Sequence, residues 1–447
     1  MSARSILARM PACALLAFLP FPVLAQSSGA GKDEAARIAE LAAAAAPDLG
    51  ALYKDIHAHP ELAFGEERTA ARLAKELRSA GFEVSEHVGR TGVVGVYRNG
   101  QGPVVLVRTE LDALPMEEKT GLPYASRAKT QWKGEETFVA HSCGHDVHMA
   151  AWLGTARTLV ALKDRWQGTL VFIGQPAEEG TKGARAMLAD GLFTRFPRPD
   201  YAFALHTSPA AYGTIEYSEG VATSNSNHLD ITFHGRGGHG SAPNESIDPI
   251  LIAAHFIVDV QSVVSREKDP KEFGVVTIGA VKGGSAGNII PDTVVLRGTI
   301  RSYREEVGDK LVAGVRRTAL AVAAMAGAPE PEIDLETGGR AVFNDVSLAQ
   351  GTAAVFVQAF GADKVRRIGP ITASEDFSLY GREGVPSFFF FIGVYAPDEV
   401  AAASRPGGKP LPFNHSPYFA PVPGPSIDLG VRAMSLAVLH VLGTPRP

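Results

Sequence analysis

Residues 147–173, VHMAAWLGTARTLVALKDRWQGTLVFI, contain the pattern on which the fold class depends. Apolar residues recur at helical spacing over 147–163, and every residue of the run 170–173 is apolar. A short, wholly apolar run of this kind is typical of a strand that is buried on both faces of a sheet. The stretch therefore predicts a helix that leads into a core strand of an α/β protein.

The same alternation of helix and strand extends to both sides of this stretch. Four consecutive phenylalanines at 388–391 favour a buried strand over a substrate pocket, because neighbouring residues of a strand face opposite sides of the sheet. We expect an α/β fold with a mostly parallel central sheet flanked by helices. Further strands are predicted at 93–97, 104–107, 201–205 and 387–392, and further helices at 33–52, 69–80, 346–360 and 426–442.

Residues 224–334 have a different order of elements, typical of a ferredoxin-like α+β domain inserted into the α/β domain. The insertion divides the α/β domain into residues 26–223 and 335–447. Its half-buried sheet leaves edge strands open, which favours a two-fold symmetric homodimer. Its predicted elements are strand 229–233, helix 248–265, strands 274–281 and 293–301, helix 305–325 and a short strand near Ile333.

Composition excludes several classes of protein. Of 447 residues, 45% are hydrophobic and 20% are charged, which suits a large core and does not suit a disordered chain. The net charge of −5 argues against nucleic acid as the main partner, because phosphate binding needs a basic surface. Two cysteines, Cys13 and Cys143, cannot form a disulfide framework.

The first 25 residues have the three parts of a signal peptide. Arg4 and Arg9 supply positive charge, residues 12–21 are apolar but too short to span a bilayer, and residues 23–25 offer a small-residue cleavage site. A lipoprotein signal is the alternative, but the apolar run follows Cys13 instead of preceding it. We expect export to a periplasm or to the medium, with no membrane anchor after cleavage.

The densest cluster of chemically active residues is HSCGHDVH, at 141–148. A cysteine thiolate with an imidazole two residues away supplies closely spaced ligands for a metal ion. Asp146 is placed to cap the following helix, whose N-terminus would lower the pKa of Cys143 and favour the thiolate. The alternative is a buried thiol beside surface histidines. Three histidines within eight residues favour the metal site over this alternative.

Three more segments place acids or histidines at predicted strand ends or in a loop. Glu178 and Glu179 follow strand 170–173, where one carboxylate can bind a cation while the other, with a raised pKa, acts as a general base. His206 follows strand 201–205, and His415 lies in a proline-rich loop. Each is more often structural than functional when it occurs alone, but together they indicate one site.

These motifs resemble those of the hippurate hydrolase and N-acyl-amino-acid amidohydrolase branch, subfamily D, of metallopeptidase family 20, over about residues 55–442. The most specific motif, CGHDVH at 143–148, is intact. HAHPEL at 57–62 is similar to the branch's opening motif. RTELDALP at 108–115 is similar to its Arg-Ala-Asp-x-Asp-Ala-Leu-Pro motif, with Thr109 and Glu110 in place of Ala and Asp.

The resemblance implies a role for each matching residue of the metal site. Cys143 would bridge two divalent metal ions, zinc or manganese, because the mixed ligands do not select one sharply. Glu178 would be the general base and acid. The terminal metal ligands would be His145, Glu179, His206 and His415.

In the inserted domain, GRGGHGSAP at 235–243 resembles the family's lid motif, so His239 would stabilise the oxyanion. Asn244 stands where relatives usually have His. GGSAGNIIP at 283–291 resembles the segment whose asparagine, here Asn288, holds the substrate carboxylate, and Arg301 also matches a family position at the substrate site. The resemblance further implies a lid and dimerisation domain that sends His239 into the partner's site. The alternative is that His239 only satisfies backbone groups in its glycine-rich turn.

The function implied is metal-dependent hydrolysis of the amide bond of N-acyl amino acids, which gives a carboxylic acid and a free amino acid. A dipeptidase or carboxypeptidase acting on small peptides is the closest alternative. A binding protein that keeps the fold without turnover is a second alternative. A cysteine hydrolase using Cys143 is a third, and it would be inactivated by thiol alkylation but not by chelators.

Overall fold

The computed structural model describes residues 30–336 and 338–443. The predicted signal peptide, residues 1–25, and Cys13 lie outside these residues, and export stays a prediction. The first part of the α/β domain contains α1 (Ala30–Ala58), α2 (Glu67–Ser79), β1 (Glu83–Val88), β2 (Gly92–Asn99), β3 (Val104–Glu110), β4 (Lys129–Trp132), β5 (Glu135–Phe138), α3 (His145–Ala161), β6 (Gly168–Gln175), α4 (Gly183–Ala189), α5 (Leu192–Arg195), β7 (Tyr201–Ala211), β8 (Ile215–Tyr217) and β9 (Gly220–Val221).

The inserted unit and the second part of the α/β domain follow in chain order. The inserted unit contains β10 (Asn225–His234), β11 (Gly238–His239), α6 (Pro249–Asp259), β12 (Gly274–Gly283), β13 (Ile289–Ile290), β14 (Thr293–Ser302), α7 (Glu305–Met325) and β15 (Glu332–Asp334). The α/β domain then resumes with β16 (Phe343–Asn344), α8 (Val346–Phe360), β17 (Val365–Arg367), α9 (Ser378–Arg382), β18 (Ser387–Tyr395), α10 (Pro397–Ala403) and α11 (Pro423–Val441).

The large sheet has eight strands in the order β1-β2-β6-β3-β7-β18-β8-β17. Its four central strands, β6, β3, β7 and β18, are parallel, whereas the pairs β1–β2, β2–β6 and β18–β8 are antiparallel. The central strands are the predicted apolar runs, which suit burial beneath helices on both faces. The prediction of a mostly parallel central sheet flanked by helices is confirmed.

Two separate cores cover the two faces of this sheet. On one face, α1, α3 and α11 pack against each other and against the strands. On the other face, side chains of α4 and α9 complete the core. The phenylalanine run is a buried strand, as predicted, and its rings alternate between the cores. Phe388 and Phe390 join the first core, and Phe389 and Phe391 join the second.

The inserted unit has its own four-stranded antiparallel sheet, in the order β12-β14-β10-β15. Helices α6 and α7 pack on it through a core that includes Phe233, Phe256 and Leu311. The element order, β10-α6-β12-β14-α7-β15, is that of the ferredoxin-like unit predicted from the sequence. Strand β12 lies at an edge of this sheet, which leaves one side of its backbone open to pairing.

Helix α6 differs from its prediction, which extended it to residue 265. Asp248 caps its start by accepting from the backbone N–H of Ile250 at 2.8 Å, and the helix ends at Asp259 before a separate π-helical turn, Val263–Glu267.

Among the described residues, one helical stretch, Pro249–Glu267, is long enough and apolar enough to cross a membrane, judged by length and composition only. It comprises α6 and the π-helical turn, and about a third of its most apolar part is buried.

Candidate metal centre

A cavity of about 570 Å³ opens at the carboxyl ends of the parallel strands. Glu178 and Glu179 follow β6 directly, and Phe389 and Phe391 form part of the floor. His206 lies within β7, which continues to Ala211, so the prediction that His206 follows its strand is wrong. Predicted site residues that line the cavity are Cys143, Glu178, Glu179, His206, Arg301 and His415.

The five predicted metal ligands come together in two groups that share Cys143. In one group, ligand atoms of Cys143, His145 and His206 lie within 4.8 Å of one another. In the other group, those of Cys143, Glu179 and His415 do so. Cys143 Sγ lies 3.4 Å from His206 Nε2, and His415 Nε2 lies 3.3 Å from Glu179 Oε2. Cys143 is therefore the residue that these two groups have in common.

Orphaned atoms in these groups fit a metal site. His145 Nε2 and Glu179 Oε1 are buried and have no hydrogen-bond partner among the described residues. His145 Nδ1 donates to the carbonyl of Asp112 at 2.7 Å, and His206 Nδ1 donates to the carbonyl of Thr207 at 2.8 Å. Because a carbonyl only accepts, both rings keep a free Nε2 lone pair, which is the form that binds a metal.

His148 lies beside these ligands but is already satisfied. Its Nε2 accepts from the backbone N–H of Thr207 at 2.9 Å, and its Nδ1 donates to Glu110 at 2.9 Å. Glu110 also pairs with the buried Arg108. Glu110, His145 and His148 lie as close together as the members of a metal site, as do two further sets that contain Glu178. The two occupied nitrogens of His148 make it a hydrogen-bonding residue instead. Glu110, which departs from the family motif, thus links Arg108 to His148.

The turn that carries Cys143 depends on a glycine. Helix α3 begins at His145, after Gly144 at φ +91°. A Cβ on Gly144 would lie 2.6 Å from the hydroxyl oxygen of Thr207, so a side chain is excluded by both backbone conformation and space. The prediction that Asp146 is the N-cap of α3 is wrong, because Gly144 holds that position and Asp146 is the second residue of the helix. One carboxylate oxygen of Asp146 does accept from a first-turn N–H, that of Val147 at 2.9 Å.

Asp146 pairs instead with His57 of the opening motif. His57 Nδ1 lies 2.6 Å from Asp146 Oδ2, and His57 Nε2 lies 3.2 Å from Glu118 Oε1, all three side chains being buried. Burial alone would lower the pKa of His57, but hydrogen bonds to these two carboxylates raise it to about 10. His57 is therefore an imidazolium at neutral pH that ties the end of α1 to the start of α3.

The pKa values of the two adjacent glutamates are shifted in opposite directions. Burial, followed by the charges of Glu375 and Glu179, raises the pKa of Glu178 well above its usual value. Burial also acts to raise the pKa of Glu179, but hydrogen bonding to His415 and the charge of His145 lower it overall. This division suits the roles predicted for the pair, with Glu179 binding a cation and Glu178 holding a proton. Ala177 and Thr181, on either side, both have positive φ.

The pKa of Cys143 is shifted in the direction opposite to the one predicted. Burial and the carboxylates of Glu179 and Glu178 raise the pKa of the thiol well above its usual value. The helix N-terminus was expected to lower this pKa, so its effect is outweighed. A thiolate at this position consequently depends on a bound cation, and without one the residue is a poor nucleophile.

Sequence reasoning did not identify the anchor beneath the site, the buried guanidinium of Arg108. It lies 2.7 Å from Glu375 and 3.1 Å from Asp376, which follow it in the chain by 267 and 268 residues. Burial and the guanidinium act in opposite directions on the pKa of Glu375, which is raised to about 8. In the sequence, Arg108 stands out only as part of the motif at 108–115, and nothing there signals its pairing with these two acids.

Three residues predicted in the inserted unit occupy different places. Arg301 lines the cavity, and its Nη1 is buried without a hydrogen-bond partner among the described residues. His239 and Asn288 are exposed and do not line the cavity. His239 lies in β11 and Asn288 directly precedes its partner strand β13, and the N–H of Gly240 donates to the carbonyl of Asn288 at 2.9 Å. One chain therefore does not bring them to the metal ligands.

Comparisons with known proteins agree with this geometry. A model of Peptidase family M20/M25/M40 matches residues 106–405. Hippurate hydrolase of Campylobacter jejuni is 37% identical over 328 residues, 73% of this chain and 82% of that protein. Thermostable carboxypeptidase 1 of Saccharolobus solfataricus is 35% identical over 346 residues, 76% of this chain and 84% of that protein. A dinuclear metal-binding peptidase of the M20 family from Bacillus subtilis has a TM-score of 0.70 at 28% identity, covering 90% of this chain and 99% of that one.

Proposed function

This chain belongs to Peptidase family M20/M25/M40, and from that premise we propose that it is a metal-dependent hydrolase of N-acyl amino acids. It cleaves their amide bond to give a carboxylic acid and a free amino acid. The observation that carries the proposal is the cavity itself, in which two ligand groups share Cys143 beside Glu178, a buried carboxylate with a raised pKa. The hippurate hydrolase similarity supports the same reaction class.

The donor set suits two divalent cations. Cys143 belongs to both groups, with His145 and His206 completing one and Glu179 and His415 the other. Mixed thiolate, imidazole and carboxylate ligands are compatible with zinc or manganese. When bound, such cations polarise the amide carbonyl and lower the pKa of water. The dinuclear peptidase from Bacillus subtilis supports the count of two.

Glu178 transfers the proton in this proposal. Its carboxylate takes a proton from the attacking water and returns it to the nitrogen of the leaving amine. A general base works best when its pKa lies near the working pH, and burial next to Glu375 and Glu179 raises the pKa of Glu178 from its usual value. Ala177 and Thr181, in left-handed backbone, turn this acid pair toward the cavity.

Arg301 and the apolar wall account for the two ends of the substrate. A buried guanidinium nitrogen without a partner favours an anionic group, so Arg301 is placed to hold the substrate carboxylate. Ile368, Ile371, Phe389 and Phe391 supply apolar surface in the same cavity, which suits an acyl chain or aromatic acyl group. Asn288 lies outside the cavity of its own chain, so its predicted contact with the carboxylate would have to come from a second copy.

The proposed homodimer supplies what the single chain lacks. Ile250, Leu251 and Val258 of α6 are exposed, as is Val281 on edge strand β12. In this proposal a second copy covers these apolar residues, and His239 of the partner subunit enters the cavity. His239 Nδ1 accepts from the backbone N–H of Ser241 at 3.1 Å, so a neutral ring carries its proton on Nε2 and can donate it to an oxyanion.

The alternatives differ in what they require of the same site. A dipeptidase or carboxypeptidase would use the same groups, and the carboxypeptidase similarity keeps it the second candidate. A binding protein has no need of the base Glu178. A cysteine hydrolase needs an accessible thiolate, whereas Cys143 is buried with a raised pKa. Export through a cleaved signal peptide completes the proposal, with no nucleic acid or membrane anchor as partner.

A substrate panel on the full-length mature chain tests the proposal. The protein is stripped with a chelator, reloaded with Zn²⁺ or Mn²⁺, and offered hippurate, N-acetyl amino acids and dipeptides with free amino termini. We expect the acylated substrates to be cleaved faster, activity to vanish on chelation, and thiol alkylation of the loaded enzyme to have little effect. Glu178→Gln should lower kcat by about 10²–10⁴-fold while metal uptake stays unchanged.

Other results would select an alternative. A preference for dipeptides would establish the peptidase alternative, and activity that survives chelation but not alkylation would establish the cysteine hydrolase. Metal uptake without turnover of any amide would support the binding protein. Near-normal kcat in Glu178→Gln would show that a different group is the base.

A further inference from the structure

Thr207 directs each of its polar atoms toward a segment of the metal centre. Its side chain is buried in β7, next to His206. Its backbone N–H donates to His148 Nε2 at 2.9 Å, and its carbonyl accepts from His206 Nδ1 at 2.8 Å. Its hydroxyl donates to the carbonyl of Cys143 at 3.0 Å. Thr207 therefore fixes the tautomer of His206 and holds the backbone carbonyl of Cys143.

Asn414 makes the matching contacts from the other side. Its Nδ2 donates to the carbonyl of Cys143 at 2.8 Å and lies 3.1 Å from Thr207 Oγ1. The next residue, His415, has φ +69° and donates its backbone N–H to the carbonyl of Ser142 at 2.7 Å. The loop with His415 is thus attached to the Cys143 turn by two hydrogen bonds, one of them from a side chain.

We infer that Thr207, with Asn414, is a positioning residue that holds Cys143, His206 and His415 in their metal-binding arrangement. These ligands come from three segments far apart in the chain, and the carbonyl of Cys143 is where side chains from the other two segments meet. The inference rests on the proposed function, since it assumes that those residues bind the cations of that site.

The fit around the hydroxyl is close. Gly144 follows Cys143 directly, and a Cβ there would lie 2.6 Å from Thr207 Oγ1 and 3.0 Å from Thr207 Cγ2. The missing side chain of Gly144 is what lets Thr207 reach the Cys143 carbonyl. Hydrogen-bonded partners of metal ligands typically change metal affinity by about 10–100-fold when removed, because the ligands lose their preset orientation.

Metal affinity of the stripped full-length protein, measured by competition with a chromophoric chelator, tests the inference. Thr207→Val keeps the shape and removes the hydroxyl, so Zn²⁺ affinity should fall by about 10–100-fold. Thr207→Ser restores the hydroxyl and should bind Zn²⁺ within about 3-fold of wild type by the same reasoning. With Co²⁺ as probe, the thiolate–cobalt charge-transfer band should shift in the Val variant and return in the Ser variant.

Thr155→Val is the matched control. Thr155 is equally buried, and its hydroxyl donates to the carbonyl of Ala151 at 2.9 Å within α3, with no bond to a ligand segment. We expect it to leave Zn²⁺ affinity and the cobalt band unchanged. If Thr155→Val weakens binding as much as Thr207→Val, or if Thr207→Val binds Zn²⁺ like wild type with an unshifted band, the inference is overturned.

Asn414→Ala provides a second route that does not alter the core. It should weaken Zn²⁺ binding by about 10-fold, and combining it with Thr207→Val should cost less than the two separate losses together, because both residues support one carbonyl. If Thr207→Val does not fold, unchanged Zn²⁺ affinity in Asn414→Ala overturns the inference by itself. None of these measurements uses a substrate, so absence of amide cleavage would count against the proposed function only.

Discussion

The metal centre and the lid motif differ in how far a single chain completes them. The five predicted metal ligands come together within one chain: Cys143 and His145 are buried, Glu179 and His206 are half-buried, and His415 is exposed. Carbonyls of the same chain fix the tautomers of His145 and His206. His239 and Asn288 are exposed on a two-stranded pair outside that cavity. One chain thus brings the candidate cation ligands together, whereas His239, the proposed oxyanion donor, lies outside the cavity of its own chain. Metal uptake and turnover should therefore respond differently to mutation and to subunit pairing.

The largest expected effect is the loss of the shared ligand. Cys143→Ala should lose at least one metal equivalent, measured by elemental analysis, and lower kcat/KM by more than about 10³-fold, because bound cations supply several kcal/mol of transition-state stabilisation. Cys143→Asp should retain part of both, since a carboxylate can also bridge. Full metal occupancy in the Ala variant would contradict the sharing of Cys143 between two cations.

A subunit-mixing experiment tests whether His239 acts in the site of the partner subunit. His239→Ala should lower kcat by about 10²–10³-fold without loss of metal, as removal of an oxyanion donor does. When this variant is unfolded and refolded with an equal amount of Glu178→Gln, about half of the dimers are mixed by random pairing. Each mixed dimer has one site with both groups, so roughly a quarter of wild-type activity should return.

The control for mixing is co-purification of differently tagged subunits. If mixed dimers are recovered and no activity returns, His239 does not act across the interface, and it would have to reach the cavity of its own chain. If no dimers form at all, the exposed face of α6 and β12 is not an interface of this protein.

The smallest effect concerns the support beneath the metal centre. The pKa of His57 is raised to about 10, so its ion pairs stabilise the fold fully below the unfolded-state value near 6.5, and this contribution is lost as pH rises through 10. His57→Gln should lower the free energy of unfolding of the metal-free protein by roughly 2–4 kcal/mol at pH 6, and by progressively less toward pH 10.

Denaturant unfolding of both proteins across this pH range measures the difference. His59→Gln is the control, because His59 is exposed and its side chain bonds only the end of α1. A difference between wild type and His57→Gln that stays constant from pH 6 to pH 10 would show that His57 contributes packing and not charge.

Elements with strong periodicity were predictable from sequence. The helices at Glu305–Met325 and Val346–Phe360 begin and end where predicted, because their apolar spacing is regular and their neighbours break it. The strand Glu83–Val88 and the hairpin of β4 and β5 were not predicted, since they are short and largely exposed, and their residues lack an apolar run.

The site was predictable only where residue chemistry is distinctive. Cysteine, histidine and paired glutamates can be recognised as candidate metal ligands or bases from their residue type and their position in a motif. Thr207 and Asn414 are uncharged and common in loops and strands, so nothing in their type points to a metal centre. The ion pairs of Arg108 with Glu375 and of His57 with Asp146 join residues distant in sequence. Such pairings emerge only when the chain is folded.

The position of β18 has a consequence for how the molecule is made. This strand lies between β7 and β8 in the sheet, yet residues 218–386, which include the whole inserted unit, separate it from β8 in the chain. During synthesis, the inserted unit has all of its strands available before β18 is translated, whereas the larger sheet must wait with a gap at its centre. His415 emerges later still. Metal uptake at a complete centre is therefore one of the last events in the maturation of the chain, after its longest-range contacts have formed.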